Sequence, residues 1–145
     1  MDLLIKSGLI LMLMSCLGCE VKNDQMPPSQ SDLELCNLPV NRLVEGTKGS
    51  LRESLNLLSE KLPELSIEKQ HTFLTTHTRI HVERIKSCMD ALDSTKQQYK
   101  LNQLSKVYVT LNVINDRAIN LVSKNKAIEE SDLEFIRMML KTPEN

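Results

Sequence analysis

Hydrophobic side chains recur at intervals of three and four residues through most of the chain beyond position 31, the spacing that places them on one face of an α-helix. The clearest stripe comprises Leu51, Leu55, Leu58 and Leu62. No segment alternates polar and apolar residues convincingly, as a half-buried strand does. The pattern therefore predicts an all-α fold, a small up-and-down bundle of four to five helices.

Prolines and glycines indicate where the first helices begin and end. A first helix is expected from about Asp32 to Pro39, which either breaks it or opens a second turn. Gly46 and Gly49 are expected to mark a loop, because glycine is unfavourable inside a helix. The leucine stripe then forms the second helix, which Pro63 ends.

Three further helices are predicted in the second half of the chain. Ser66 is a candidate N-cap for a helix that reaches about Asp93, the next helix runs from about Thr95 to Lys124, and the last begins at Ser131. Four sites also match the capping box, in which a serine is followed three residues later by Glu or Gln. These sites are Ser31/Glu34, Ser50/Glu53, Ser94/Gln97 and Ser131/Glu134.

The helix expected over residues 95–124 has the best-defined apolar face. Its predicted core positions are Leu101, Leu104, Tyr108, Leu111, Ala118 and Val122. Three further residues are expected to widen that face, namely Val107, Ile114 and Leu121.

The amino end of the chain has a different character. Residues 7–15 carry no charge and are mostly large apolar side chains. The run matches the about 7 to 15 residues of a signal-peptide core and is shorter than the about 20 that a transmembrane helix needs. An export signal over residues 1–15, or 1–18, is therefore expected.

The apolar run ends in Leu13-Met14-Ser15-Cys16-Leu17-Gly18-Cys19, which resembles the lipobox of bacterial lipoproteins. The resemblance implies that diacylglycerol is attached to a cysteine thiol, that the peptide bond before it is cut, and that the new amino terminus is acylated. Cys16 has a leucine three residues before it and a small residue directly before it. Cys19 has the smaller preceding residue, glycine. Lipidation is expected at Cys16, with Cys19 as the alternative.

The same resemblance implies a location and a domain organisation. Acyl chains would hold the protein on a membrane of the cell envelope, facing the periplasm, with the outer membrane favoured over the inner. Residues 20–30 are polar, aperiodic and contain Pro27-Pro28, which is typical of a disordered tether. The expected organisation is a lipidated tether over residues 16–30 and a helical domain over residues 31–145.

Export to an oxidising compartment permits disulfide bonds. Cys36 and Cys88 are the cysteines of the helical domain, and a disulfide between them is predicted. Closing a loop of this length contributes about 4 kcal/mol in the chain-entropy model. The alternative is a pair of buried free thiols.

Composition argues against several classes of ligand. The net charge is −1 and aromatic residues make up 3% of the chain, so neither a basic surface nor stacking rings favour nucleic acid. The four glycines form no phosphate-binding loop and no nucleophile elbow. No cofactor and no nucleic-acid partner is predicted.

Two constellations were candidates for chemistry. His77 and His81 are four residues apart on the predicted third helix, a spacing that can present two imidazoles to one metal ion. No third ligand is fixed by spacing, and a partly exposed His77 beside a His81 at the edge of the core is the favoured interpretation. Cys88 and His81 are a conceivable nucleophile pair, but the disulfide competes for Cys88. No enzyme is predicted.

Acidic residues crowd the start of the last predicted helix. They are Glu129, Glu130, Asp132 and Glu134. A helix N-terminus stabilises negative charge, and the ligand spacing and glycine of a calcium-binding loop are missing. The cluster therefore has a structural interpretation.

A binding role remains as the best functional hypothesis. Aliphatic faces and adaptable methionines can hold a helix or strand of a partner. The methionines beyond the signal are Met26, Met89, Met138 and Met139. By layout alone, the chain resembles the pilotin lipoproteins, which escort secretin subunits to the outer membrane. The prediction is a non-enzymatic binding or assembly module for an envelope protein. The alternatives are an exclusion or immunity lipoprotein of a mobile element and a metal-binding activity at the two histidines.

Overall fold

The fold was obtained as a computed structural model that describes residues 34–141 and residue 143. This part of the chain is helical and contains no strand. Four α-helices follow one another in the order α1 (Val40–Lys61), α2 (Ile67–Asp90), α3 (Gln98–Ser123) and α4 (Glu130–Lys141). A 3-10 turn over Leu62–Glu64 follows α1, and a helical turn over residues 34–36 precedes it. The predicted all-α bundle is confirmed.

Several predictions concern residues outside the described part of the chain. They are the export signal, the acylated cysteine at Cys16 or Cys19, the tether over residues 16–30 and the capping box at Ser31.

An aliphatic core joins the helices, as the scarcity of aromatic residues requires. α2 and α3 form the most extensive helix pair, and α4 packs against α1 and α3. The largest fully buried side chains are Leu51, Leu55, Leu58, Leu74, Ile85, Leu104, Leu111, Ile114, Leu133, Ile136, Leu140 and Val107. The leucine stripe of α1 is therefore confirmed, except that Leu62 lies in the 3-10 turn and is only partly buried.

The buried face of α3 is rotated relative to the predicted one. Val107 and Ile114, expected at its margin, are fully buried, whereas Tyr108 and Val122 are only partly buried. The reason is that α3 contacts α1 and α4 as well as α2, and this combined contact brings Val107 and Ile114 fully into the buried face.

The predicted loop at Gly46 and Gly49 is wrong, because both glycines lie inside α1. Their helix-breaking tendency costs about 1 kcal/mol per residue. Burial of Leu43, Leu51 and Leu55 on one side of the same helix outweighs this cost, since each buried leucine contributes about 1.5 to 3 kcal/mol.

The serine capping boxes also fail within the described residues. Ser50 lies inside α1 and Ser131 inside α4, while Ser94 lies in the turn before α3, whose N-terminus has no side-chain cap. A capping serine needs a non-helical backbone, which the sequence spacing alone does not guarantee. Ser66 meets this condition, because its backbone is extended and its Oγ accepts a hydrogen bond from the Lys69 amide at 3.4 Å.

The acidic residues provide the cap that Ser131 does not. The Glu129 amide donates to Asp132 Oδ2 at 3.1 Å, so this bond spans the three residues of a capping box, two positions earlier than predicted. In the turn between α2 and α3, Asp93 Oδ1 accepts hydrogen bonds from the Thr95 amide at 3.0 Å and from the Thr95 hydroxyl at 2.6 Å.

Replacing Gly46 or Gly49 with alanine is expected to raise the free energy of unfolding by about 0.5 to 1 kcal/mol. Both glycines are helical without positive φ, and an added Cβ would meet no other atom within 4 Å. Urea denaturation measures the change. The control is Glu45→Gly at a neighbouring exposed position, which should lower stability by a similar amount; destabilisation by the alanines would argue against a continuous α1.

Candidate functional site

The two histidines singled out from the sequence lie on α2 but have different surroundings. His77 packs against Phe73 with 4.2 Å between ring centroids, and its Nδ1 lies 3.1 Å from Ser54 Oγ on α1. His81 is only 3% exposed, and its Nδ1 has no hydrogen-bond partner among the described residues. The expected partly exposed His77 is observed, whereas His81 is deeper than the edge of the core.

Burial determines the charge of His81. The pKa of its imidazole is lowered from 6.5 to about 4, chiefly by desolvation and in addition by electrostatic interactions with Arg84 and His77. At neutral pH the ring is therefore uncharged. No group of three His, Cys, Asp or Glu side chains in the described residues is arranged to hold a metal ion, so the pair lacks a third protein ligand there.

The predicted disulfide between Cys36 and Cys88 is confirmed. The bond spans 52 residues, with 5.2 Å between the Cα atoms, and joins the turn at residues 34–36 to the last turn of α2. Because the sulfur of Cys88 is bonded, the nucleophile pair of Cys88 with His81 is wrong.

Lys100 fixes the backbone next to the disulfide. Its ammonium group donates to the carbonyl oxygens of Cys36 at 2.5 Å and Leu38 at 2.8 Å. Between this contact and the end of α2 lies a crevice of about 250 Å³. The disulfide and the Lys100 hydrogen bonds therefore fix the segment through which the preceding chain joins the bundle.

The acidic residues of α4 form structural contacts across the bundle. Arg137 donates to Glu130 at 2.6 Å and to Glu134 at 3.2 Å, and Glu130 also accepts a hydrogen bond from Ser59 on α1. The Ser59 bond and then the Arg137 bond lower the pKa of the Glu130 carboxyl. The cluster attaches α4 to α1.

Two buried polar residues at the start of α2 were missed by the sequence analysis. The Gln70 side-chain amide donates to the carbonyls of Leu62 and Leu65, each at 3.0 Å, and its oxygen accepts from the Ile128 amide at 2.9 Å. Hydrophobic periodicity predicts only apolar core positions. A glutamine that forms hydrogen bonds with backbone groups of two loops therefore leaves no such pattern in the sequence.

His71 adds a second bond between the same two regions. Its Nε2 lies 2.6 Å from the carbonyl oxygen of Lys126. A carbonyl can only accept, so Nε2 carries the proton and donates. Together with Gln70, this ring fixes the loop between α3 and α4 against the beginning of α2.

A cleft of about 580 Å³ lies beside these contacts. We call it the α2–α3 cleft. It is lined by Ser66, Ile67, Glu68, His71, Thr72, Thr75, Val122 and Asn125. Asn125 has a φ of 50°, the left-handed conformation that commonly ends a helix. The lining combines two exposed or half-exposed aliphatic side chains, three hydroxyls and one carboxylate, which suits a segment with both apolar and polar groups.

Apolar side chains are also exposed on α3 and α4. Val109 is 61% exposed and Val113 48%, four residues apart on α3. On α4, Phe135 lies under the guanidinium of Arg117, which is 5.3 Å from the ring centroid. Because these side chains are about half exposed, they make parts of the bundle surface apolar.

No protein family, curated protein or solved structure that was compared matches this chain. Among the helices described, none combines the length and the apolar character needed to cross a bilayer.

The protein is expected to lose stability as the pH falls from about 6.5 to about 4. His81 has a folded-state pKa of about 4, below the unfolded value near 6.5, so the unfolded chain takes up the proton first. The contribution is complete above pH 6.5 and is lost by about pH 4, with a magnitude of about 2 to 3 kcal/mol.

Urea unfolding between pH 7 and pH 4.5 measures this loss. His81→Leu is expected to flatten the dependence over this range, while His77→Leu, on the same helix, is expected to keep most of it. An NMR titration of His81 in the unmodified protein provides a check that does not depend on either variant. A midpoint near 6.5 would contradict the prediction.

Proposed function

We propose that this protein is an exported lipoprotein, anchored through Cys16 or Cys19, whose helical domain binds a protein of the bacterial envelope without catalysing a reaction. The observation that carries the proposal is the Cys36–Cys88 disulfide. Such bonds persist in oxidising compartments and are rare in reducing ones. An export signal with a lipobox would deliver the chain to such a compartment.

The disulfide also limits which of the four cysteines could be acylated. Cys36 and Cys88 occupy each other, so Cys16 and Cys19 at the end of the apolar run are the cysteines left for acylation. If Cys16 is acylated, Cys19 remains as a thiol in the tether. If Cys19 is acylated, Cys16 leaves with the signal and no thiol remains.

Acylation would make membrane attachment stable. Each buried methylene contributes about 0.8 kcal/mol, so one acyl chain binds reversibly and two or more bind firmly. The preceding chain joins the bundle beside the disulfide, near the C-terminal end of α2. The α2–α3 cleft lies near the N-terminal end of the same helix, about 30 Å away at 1.5 Å per residue. The cleft therefore lies at the other end of α2 from the point where the preceding chain joins the bundle.

The cleft is the surface that we assign to the partner. Its aliphatic residues Ile67 and Val122 suit an apolar side chain, and the exposed Glu68 beside them suits a lysine or arginine. We infer an extended segment of an envelope protein in which a basic residue follows an apolar one. The layout resembles that of the pilotin lipoproteins, and a pilotin-like role would make that protein a secretin subunit.

Binding is favoured over catalysis because the most reactive residue types already have structural contacts. Cys88 is in the disulfide, His71 donates to the Lys126 carbonyl, and His77 contacts Ser54. His81 is buried and uncharged at neutral pH. His71, His77 and Cys88 are thus engaged in structural contacts, and His81 is enclosed in the core.

Labelled palmitate is expected to enter the full-length protein and to be lost when both Cys16→Ser and Cys19→Ser are introduced. The reason is that acyl transfer requires a thiol at the lipobox. The mass of the mature amino terminus identifies the cysteine that is used. Cys36→Ser with Cys88→Ser is the matched control and should retain the label. Incorporation that survives the Cys16 and Cys19 changes would refute the lipid anchor.

A photo-crosslinking residue placed at Ile67 in the acylated protein is expected to form an adduct with one envelope protein in intact membranes. The same residue at Ile80, an equally exposed isoleucine on α2 outside the cleft, is the control. A synthetic peptide that covers the crosslinked segment should compete for the adduct at position 67. Equal adducts from both positions, or no competition, would contradict binding in the cleft.

A further inference from the structure

The outer face of α3 carries a regular series of exposed residues. They are Asn102, Lys106, Val109, Val113, Asp116 and Asn120. Their spacings of four, three, four, three and four residues are those of the seam between two paired helices. α3 already packs inward through Leu104, Val107 and Leu111. α3 therefore has a second face with the periodicity of helix pairing, and the residues of this face are exposed in the described part of the chain.

The series has the same chemistry from both ends. Read in either direction, it presents an asparagine, a charged residue, a valine, a valine, a charged residue and an asparagine. In an antiparallel pair of α3 helices related by a two-fold axis at the level of Leu111, Val109 meets Val113 of the second copy, and Asn102 meets Asn120. An interface of this kind is self-complementary, as a two-fold dimer requires.

The charges select the antiparallel direction. In that arrangement Lys106 of each copy meets Asp116 of the other, which gives two attractive pairs. A parallel pair would place lysine against lysine and aspartate against aspartate, which opposes association. Within its own helix, neither Lys106 nor Asp116 has an oppositely charged residue three or four positions away. A second copy of the helix supplies the complementary charge at the seam.

We propose that two copies of this protein associate through α3 in an antiparallel pair, with the two valines at the centre and the lysine–aspartate pairs on either side. The seam spans residues 102–120, about 27 Å of helix. A single helix pair is small compared with a standard interface of about 1,200 to 2,000 Å², so the dimer is expected to be weak in dilute solution. Confinement to a membrane would raise the local concentration.

The dimer is independent of the proposed partner site. Val122 is the residue through which α3 lines the α2–α3 cleft, and it lies outside the seam. It is also independent of acylation, because every residue of the seam belongs to α3. Failure of the lipid anchor would lower the local concentration without removing the interface.

A zero-length carbodiimide crosslink tests the geometry directly in the full-length protein, in membranes or in detergent. Lys106 and Asp116 are ten residues apart in one straight helix, about 15 Å along its axis, so an amide bond between them has to join two copies. The expected result is a crosslinked dimer whose peptides contain a Lys106–Asp116 link. A dimer joined only through other residues, or no dimer at any protein concentration, would overturn the proposal.

Charge reversal supplies the second test. Lys106→Asp alone and Asp116→Lys alone should each weaken dimerisation by about tenfold, because two attractive surface pairs become repulsive. Mixing these two variants should restore dimers, since each copy then meets an opposite charge. Both changes in one chain should restore them as well. Lys86→Asp, an exposed position on α2, makes the same charge change away from the seam and should have no effect. Losses that mixing does not restore would refute the seam.

Discussion

The bond between Cys36 and Cys88 is the constraint on which the arrangement of this protein depends. The turn at residues 34–36 is too short to form a core of its own, and the disulfide joins it to the last turn of α2. Closing a loop of 52 residues contributes about 4 kcal/mol in the chain-entropy model. Lys100 reinforces the attachment through the carbonyls of Cys36 and Leu38. A pull on the preceding chain would therefore act on the bundle rather than detach its first turn.

The opposite end of the bundle is held by polar groups. Gln70 satisfies the carbonyls of Leu62 and Leu65 and the amide of Ile128, and His71 satisfies the carbonyl of Lys126. Buried amides and carbonyls left without partners would cost about 1 to 3 kcal/mol each, so these two side chains allow both loops to pack closely. The α2–α3 cleft lies against this fixed end. Its walls are set before any partner binds, which reduces the ordering cost of association.

The sequence was sufficient to predict a structural feature where a single physical rule determines that feature. Leucine spacing predicted the buried face of α1, and Ser66 was correctly selected as a cap. It was insufficient where two rules compete. Gly46 and Gly49 suggested a loop, but burial along the same helix outweighs their helix propensity. Gln70 and His71 were missed because their role depends on carbonyls far along the chain. The cleft was missed for the same reason, since α2 and α3 contribute residues more than fifty positions apart.

The inner and outer faces of α3 obey different constraints. Leu104, Val107 and Leu111 are buried in the core of the bundle. Val109 and Val113 remain mostly exposed, so burial within the monomer does not explain them. Single exposed hydrophobic residues are ordinary in soluble domains. The two valines between Lys106 and Asp116 are a different case. A two-fold axis between two copies places Lys106 of each copy opposite Asp116 of the other, so the face is complementary to itself. Folding of the monomer does not require this symmetry, whereas association of two identical helices does require it.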